Sequence, residues 1–556
     1  MNHRSIHLSR WMVIVVIMAL LAACAPAPAA PAAEQATAAP AVEEPTPQEQ
    51  ATPTESPYGG EAIRALTSEP RSLDPHGPPS SGANVILPYI YDSLVYRTPD
   101  NEFHPYLAES WAFSDDGLSL TVKLKEGIRF HDGTPLNADA VAFTFNRMKE
   151  SGRASPIYSA FRSVTAIEAI DDLTVRFTFS SPNAMFITTL SQPYAGILSP
   201  KAVTEAGDAY GQHPVGTGAF RLARWDAGVQ ITLEANPDYA WPPPDVKNQG
   251  RPYIDRLTFK FIPDATTQLS ALQAGEVDMM YLSDPAQIDL LAGDPNITLV
   301  PTVLHELIYL GFNCQKPPFD EVLVRRALSH AIDKQAIIDL ALGGHGKPAF
   351  APLPPSLPGF DPGLQEYELG YDLDAARALL VEAGFQQNAE GRWERDGQVL
   401  QATLLTSTRS PNDAVATVIQ SQLAALGVPV EIQQLDSTAV MKATAEGAFD
   451  LLLWRYGWSD ADALNIFLHS SRIGSTNRVA YSNPDVDALL DQAVAELDSA
   501  KRYAMYVEAQ KLIMQDAPWQ PLYVPEDVIA FGPKISGARV VAQGRVLLND
   551  AIVTRR

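Results

Sequence analysis

An α/β fold of two or more domains is what this sequence predicts, and three observations carry that reading. The chain has 556 residues, more than one hydrophobic core usually supports. Leu118, Leu120, Val122 and Leu124 alternate with Ser119, Thr121 and Lys123, so a strand with one apolar and one wet face is expected there. A helix capped by Asn137 follows it, with Val141, Phe145 and Met148 at helical spacing. Farther on, an apolar run at 403–407, a helical pattern over 413–425, Gly427 and a second run at 428–433 form a β, α, β unit, which favours a parallel pair.

Composition narrows the class. With 46% apolar and 19% charged residues, the bulk reads as a soluble globular protein. A formal charge of −24 would repel phosphates, so nucleic acid is excluded as a partner. Two cysteines, Cys24 and Cys314, cannot make a disulfide framework or a zinc cluster. Cys314 follows an apolar strand-like run and reads as a small buried residue.

From the amino terminus, residues 1–10 are polar with Arg4 and Arg10, and Trp11 to Leu21 is an unbroken apolar run too short to span a bilayer. Leu21-Ala22-Ala23-Cys24 resembles the bacterial lipobox, which implies a signal peptide over 1–23, cleavage before Cys24 and a lipid on that thiol. Losing the leader would take the charge to −26. Residues 24–57 are Ala, Pro, Glu, Thr and Gln with almost nothing to bury, so a disordered tether is expected.

The folded body should begin near Tyr58, with a strand over 62–66 and helical spacing over 84–95. Ser114-Asp115-Asp116-Gly117 and His131-Asp132-Gly133-Thr134 are turns, since Asp bonds nearby amides and Gly accepts positive φ. The runs 164–170 and 173–179, joined by Asp171-Asp172, read as a hairpin. Later helices are expected over 374–383, ended by Gly384, and over 503–515. No internal repeat is present.

The block from Leu107 to Met148, LAESWAFSDDGLSLTVKLKEGIRFHDGTPLNADAVAFTFNRM, resembles the signature of the family 5 extracellular solute-binding proteins, the dipeptide- and oligopeptide-binding components of ABC importers. Further landmarks of that family follow in order: Pro214-Val215-Gly216-Thr217-Gly218, where Ala219-Phe220 replaces the usual Pro-Tyr, then Asn236-Pro237-Asp238-Tyr239, Ile262-Pro263-Asp264 and Val324 to Asp333. The resemblance implies a two-lobe, type II, Venus-flytrap fold of the periplasmic-binding-protein kind with an extra third domain. It implies lobe one over 58–97, 213–300 and 526–556, the extra domain over 98–212, and lobe two over 301–525.

Trp454-Arg455-Tyr456-Gly457-Trp458-Ser459-Asp460-Ala461-Asp462 is the candidate site that the residues themselves suggest. Trp454, Tyr456 and Trp458 offer flat apolar surface, and Ser459, Asp460 and Asp462 offer polar and negative groups, which together suit a solute with an ammonium and an apolar body. In peptide-binding relatives an aspartate after a G-W pair holds the peptide's amino terminus. Asp460 is the nearest match, with the alignment open by two residues to Asp462. The resemblance adds Arg71, Asn84, Tyr89, Thr217, Gly218, Asn313 and Arg472 from segments that border the family's cleft. His131 reads as ordering its turn.

Two functions fit such a chain. The first is a lipid-anchored binding protein, monomeric, at the outer face of the cytoplasmic membrane or in the periplasm, that passes a peptide or similar small solute to an ABC permease. An oligosaccharide, a nickel chelate or another solute is the alternative. The second is a membrane-tethered secreted hydrolase, against which stand the lack of a G-x-S-x-G elbow and of H-E-x-x-H spacing. No catalytic residue, metal or cofactor is expected.

Overall fold

The computed structural model describes residues 56–554, so the leader, Cys24 and the tether up to residue 55 lie outside the described residues. A seven-stranded sheet runs in the order 298–301, 528–531, 279–282, 61–66, 256–261, 230–235, 220–226, with Glu61–Leu66 parallel to both of its neighbours. A six-stranded sheet runs 346–348, 519–525, 306–312, 451–457, 402–407, 430–435. The strands Ala402–Ser407 and Val430–Leu435, joined by the helix Asn412–Leu426, are parallel, as a β, α, β unit requires. These two sheets are the cores of the two lobes. A third domain is built on an antiparallel sheet in the order 108–113, 119–124, 174–179, 164–171.

The strand Glu306–Phe312 shows why the run reads as continuously apolar. Leu307 and Tyr309 join one hydrophobic cluster while Ile308, Leu310 and Phe312 join another, so both faces of the sheet are covered. In the third domain only one face is covered: Leu120, Val122 and Leu124 are buried and the intervening positions are not. Phe145, Phe161, Phe177 and Phe186 interlock there, with ring centroids 4.9–5.7 Å apart. Each such pair contributes about 0.5–1.5 kcal/mol beyond its burial. These rings share one continuous cluster with Leu257 and Phe259 of lobe one, so the third domain is fused to that lobe.

Local chemistry sets the boundaries. Asn137 Oδ1 accepts from the Ala140 amide at 3.0 Å and starts the helix Ala138–Ser151. The turn at 114–117 closes with Asp116 Oδ1 accepting from the Leu118 amide at 3.0 Å, which leaves Leu118 exposed, outside the strand Ser119–Leu124. The helix expected over 84–95 spans Ser81–Ile90 instead. Ser80 Oγ caps it at 3.1 Å from the Ala83 amide, and Val95 belongs to the strand Val95–Arg97. Gly216 and Gly218 pack on its end: a Cβ at Gly218 would stand 2.5 Å from the Ile90 carbonyl carbon.

Two short stretches cross between the lobes. One joins Thr298–Pro301 to Glu306–Phe312, and the other joins Trp519–Pro525 to Val528–Phe531. They are tied together, with the Thr302 amide donating to the Asp527 carbonyl at 2.9 Å. Such paired crossovers are where a two-lobe protein bends.

Candidate functional site

The strand Leu451–Gly457 runs antiparallel to Glu306–Phe312 and delivers the aromatic and acidic segment to the edge of the interlobe cleft. Its register separates the three aromatics. Tyr456 turns into the core, stacks on Trp519 at 5.6 Å and donates its hydroxyl to the Pro352 carbonyl. Trp454 packs beneath the Arg478 guanidinium, 5.6 Å from its ring centre. Trp458 alone of the three lines the cleft; its amide donates to the His305 carbonyl at 3.0 Å, and its indole N–H is buried without a partner.

The two acids part company as well. Asp460 is buried in an ion pair with Arg502, whose Nη1 donates to Oδ2 at 3.2 Å and whose Nη2 donates to Oδ1. Asp460 Oδ1 also accepts from the Asp462 amide at 3.0 Å, an Asx turn that opens the short helix Ala463–Leu468. Asp460 is therefore committed to holding the segment in shape. Asp462 lines the cleft, and its Oδ1 is buried with no partner. Burial, then the Asp460 carboxylate, pushes its carboxyl up to about 7 against the pull of Arg502, Arg472 and the nearby Tyr506 hydroxyl.

The cavity in front of Asp462 is about 820 Å³, within the range of small-molecule sites. Most of its wall comes from the third domain and lobe two, with Asn84 and Gln543 supplied by lobe one. A compartment of about 100 Å³ adjoins it, sharing Asn84, Gln192, Pro193, Ser459 and Gln543. Contacts already span the cleft: Arg97 donates to the Ser459 carbonyl, Asn101 Nδ2 to the Ser356 carbonyl at 2.8 Å and Gln192 Nε2 to Ser459 Oγ at 3.4 Å.

The structure thus brings together Asn84, Trp458, Ser459, Asp462 and Arg472, whose Nε is buried without a partner. The other expected residues stand elsewhere. Thr217 donates to the buried Asp92 at 2.9 Å, and Tyr106 and Trp241 converge on the same carboxylate at 2.5 and 3.0 Å. Tyr89 donates to the Val546 carbonyl at 2.7 Å, and Asn313 ties down Gly447 and Phe449 at 3.2 and 3.0 Å. Gly218 serves the close approach to the helix end, its carbonyl accepting from His131 Nε2 at 2.9 Å, and Arg71 is exposed away from the cavity. Thr217, Tyr89 and Asn313 hold the framework, because a position can border a cleft in sequence while its side chain turns inward. Arg97, Gln192, His305, Gln543 and Arg545 line the cleft without any pattern in the sequence to single them out.

Cys314 is half-buried rather than fully buried, and desolvation pushes its thiol up to about 11. Among the described residues no group of acids, histidines and cysteines is arranged to hold a metal ion, and no helix is long and apolar enough to cross a membrane.

The family model described as bacterial extracellular solute-binding proteins, family 5 Middle, matches residues 102–475. The chain is 33% identical over 508 residues to the glutathione-binding protein GsiB of Pectobacterium atrosepticum, covering 89% of this chain and 94% of that protein. It is 32% identical over 482 residues to heme-binding protein A of Haemophilus influenzae, covering 82% and 85%. Among solved structures it is similar to HbpA2 from Haemophilus parasuis, with a TM-score of 0.78 at 27% identity over 89% of this chain and all of that one. It is also similar to DppA of Helicobacter pylori in complex with the peptide STSA, with a TM-score of 0.69 at 28% identity over 90% of this chain and 99% of that one.

Proposed function

The chain belongs to the bacterial extracellular solute-binding proteins of family 5, and from that premise we propose that it captures a short peptide or peptide-like solute in the interlobe cavity and delivers it to an ABC permease. The observation that carries the reading is the cavity wall itself, which Trp458 and Asp462 both line, Asp462 with an unpartnered carboxylate oxygen. A peptide's ammonium would pair with Asp462 and its side chains would lie on Trp458. Asn84, Ser459 and Arg472 would complete the contacts. Relatives named for glutathione and for a bound peptide support a peptidic solute over a sugar or a nickel chelate.

No bond is made or broken in this reading, so the protein is a carrier and the tethered hydrolase is not favoured. A solute that touches both lobes shifts the population toward the closed form by its differential affinity. We assign lobe one to 58–97, 213–300 and 526–556, the extra domain to 98–212 and lobe two to 301–525. Lipidation of Cys24 and a tether over 24–57 would hold a monomer at the outer face of the cytoplasmic membrane. Replacing Cys24 by Ala should move the protein from the membrane to the soluble fraction.

A thermal-melt screen tests the solute class. A solute at 100 times its dissociation constant stabilises the native state by about 2.7 kcal/mol. Short peptides with a free amino terminus should raise the melting temperature, and their N-acetylated forms should do so less. A response to oligosaccharides or nickel chelates alone would sink the peptide assignment, and turnover of a peptide would sink the carrier.

A further inference from the structure

One turn on the cavity wall is held in a conformation that its sequence disfavours. The strands Arg539–Val541 and Arg545–Leu547 form a hairpin, and its tip, Ala542-Gln543-Gly544, reaches the interlobe cavity through Gln543. Gln543 has φ 64° and ψ 31°, left-handed backbone that is costly for most residues with a Cβ. Gly544 follows at φ 66°, and glycine is required there because a Cβ would stand 2.9 Å from the Tyr281 ring. Such strain persists only where the surroundings impose it, and it gathers at functional sites.

Here the surroundings do impose it. The Gln543 amide donates to the Val303 carbonyl at 2.9 Å and the Gly544 amide to Thr302 Oγ1 at 2.8 Å, while Thr302 Oγ1 donates to the Val541 carbonyl at 3.1 Å. Arg64, in the strand Glu61–Leu66, completes the hold, its Nη2 donating to the Gly544 carbonyl at 2.9 Å. Arg64 is 1% exposed, and its Nε and Nη1 are buried without a partner. Burial disfavours its charge, and the groups that most offset this are the phenols of Tyr89 and Tyr281. A guanidinium kept in the core on such terms adds little to a framework. It spends its bond on the turn that carries Gln543. Gln543 itself is exposed and lines both the large cavity and the compartment beside it, and no other described residue bonds its carboxamide.

We infer that Gln543 is a solute-contacting residue, its carboxamide paired with a peptide unit of the solute, and that buried Arg64 is the positioning residue that holds it in its left-handed turn. A carboxamide donates and accepts at once, as a peptide unit does, so the two match without charge. The choice of a peptide unit rests on the peptide reading above, whereas the contact and its support rest on the turn. Trp458 and Asp462 line the cavity from lobe two and Gln543 lines it from lobe one, so a solute held by all three bridges the lobes and favours the closed form.

The test is calorimetric titration with trialanine and glutathione, and with maltotriose and nickel–histidine as probes that lack a peptide unit. The variants are Gln543→Ala, Gln543→Gly, Arg64→Met and the double variant of Arg64→Met with Gln543→Ala. Losing the Gln543 carboxamide should weaken the peptides about 3- to 10-fold, the worth of a neutral hydrogen bond. Arg64→Met should weaken them to a similar extent in the parent protein and no further in the Gln543→Ala background, the non-additivity expected of a residue that acts through another. Thermal melts supply the readout that a framework role would not give. Arg64→Met removes the stranded nitrogens and Gln543→Gly relieves the left-handed backbone, so both free proteins should melt at or above the parent's temperature. Peptides that bind Gln543→Ala as tightly as the parent would overturn the contact and leave the peptide reading standing. A fall of more than about 4 °C in Arg64→Met, or an equal loss of affinity in both backgrounds, would make Arg64 a framework residue and overturn its role. Binding of maltotriose or nickel–histidine alone, weakened in Gln543→Ala, would keep the contact and remove the peptide unit. Binding of no probe would overturn the inference and the peptide reading together.

Discussion

Replacing Asp460 by Asn separates a structural carboxylate from a ligand-binding one. In the folded protein the Asp460 and Arg502 side chains are 1% and 5% exposed, and the guanidinium lies over the rings of Tyr503 and Tyr506 at 5.5 and 5.2 Å. Removing one partner of a buried pair leaves the other charge uncompensated, which costs about 3–5 kcal/mol. Asp462 also acts on Arg502 and takes up part of the lost charge, which places the cost at the low end, about 3 kcal/mol. For a cooperative unit of lobe size each kcal/mol lowers the melting temperature by about 2–4 °C, so a drop of about 6–12 °C is expected. Thermal melts of the free protein and of Asp460→Asn measure it. The double variant Asp460→Leu with Arg502→Met, which removes both charges, should recover most of the loss. Unchanged stability in Asp460→Asn together with lost peptide binding would refute the reasoning, because it would make Asp460 a ligand group.

Asp462 gives a prediction in pH. Its carboxyl is raised from 3.8 to about 7, so the free protein is favoured with that group protonated. This contribution is complete below about pH 3.8 and is lost as pH rises through 7, and Asp462→Asn should flatten that slope in a stability profile. Peptide binding runs the other way, since an ammonium needs the carboxylate. Affinity should rise several-fold between pH 6 and 7.5, where a peptide amine keeps most of its proton. An N-acetylated peptide should show no such rise in titration calorimetry. Replacing Gly218 by Ala would set a methyl 2.5 Å from the Ile90 and Tyr89 backbone, and an overpacking loss of about 1–3 kcal/mol should appear in urea melts. An unaltered midpoint would mean that the helix end yields. Asp92→Leu strands the donors of Tyr106, Thr217 and Trp241, and a fall of at least about 3 kcal/mol is expected from the same measurement.

The sequence by itself determined the elements and their order. Alternation placed the strands, Asn137 and Gly384 marked helix ends, and the β, α, β unit at 402–435 is parallel as its pattern required. These features are legible because period, capping and turn chemistry act over a few residues. The helix expected over 84–95 fails at its edges for the same reason, since Ser80 supplies the cap that spacing alone overlooked. Family landmarks added the two-lobe fold, and the stretch at 454–462 does reach the cleft.

Only the tertiary structure decided which of its side chains face the cavity. Alternation along the strand Leu451–Gly457 puts Tyr456 in the core, and the turn beyond it gives Asp460 to Arg502 and leaves Asp462 open. Arg97, His305 and Arg545 meet in one compartment although more than 400 residues of chain separate the first from the last. No local pattern can signal such a meeting, because it is made by one crossover and two hairpins folding onto each other. Residue chemistry is written in the chain, but the company each charge keeps is set by packing.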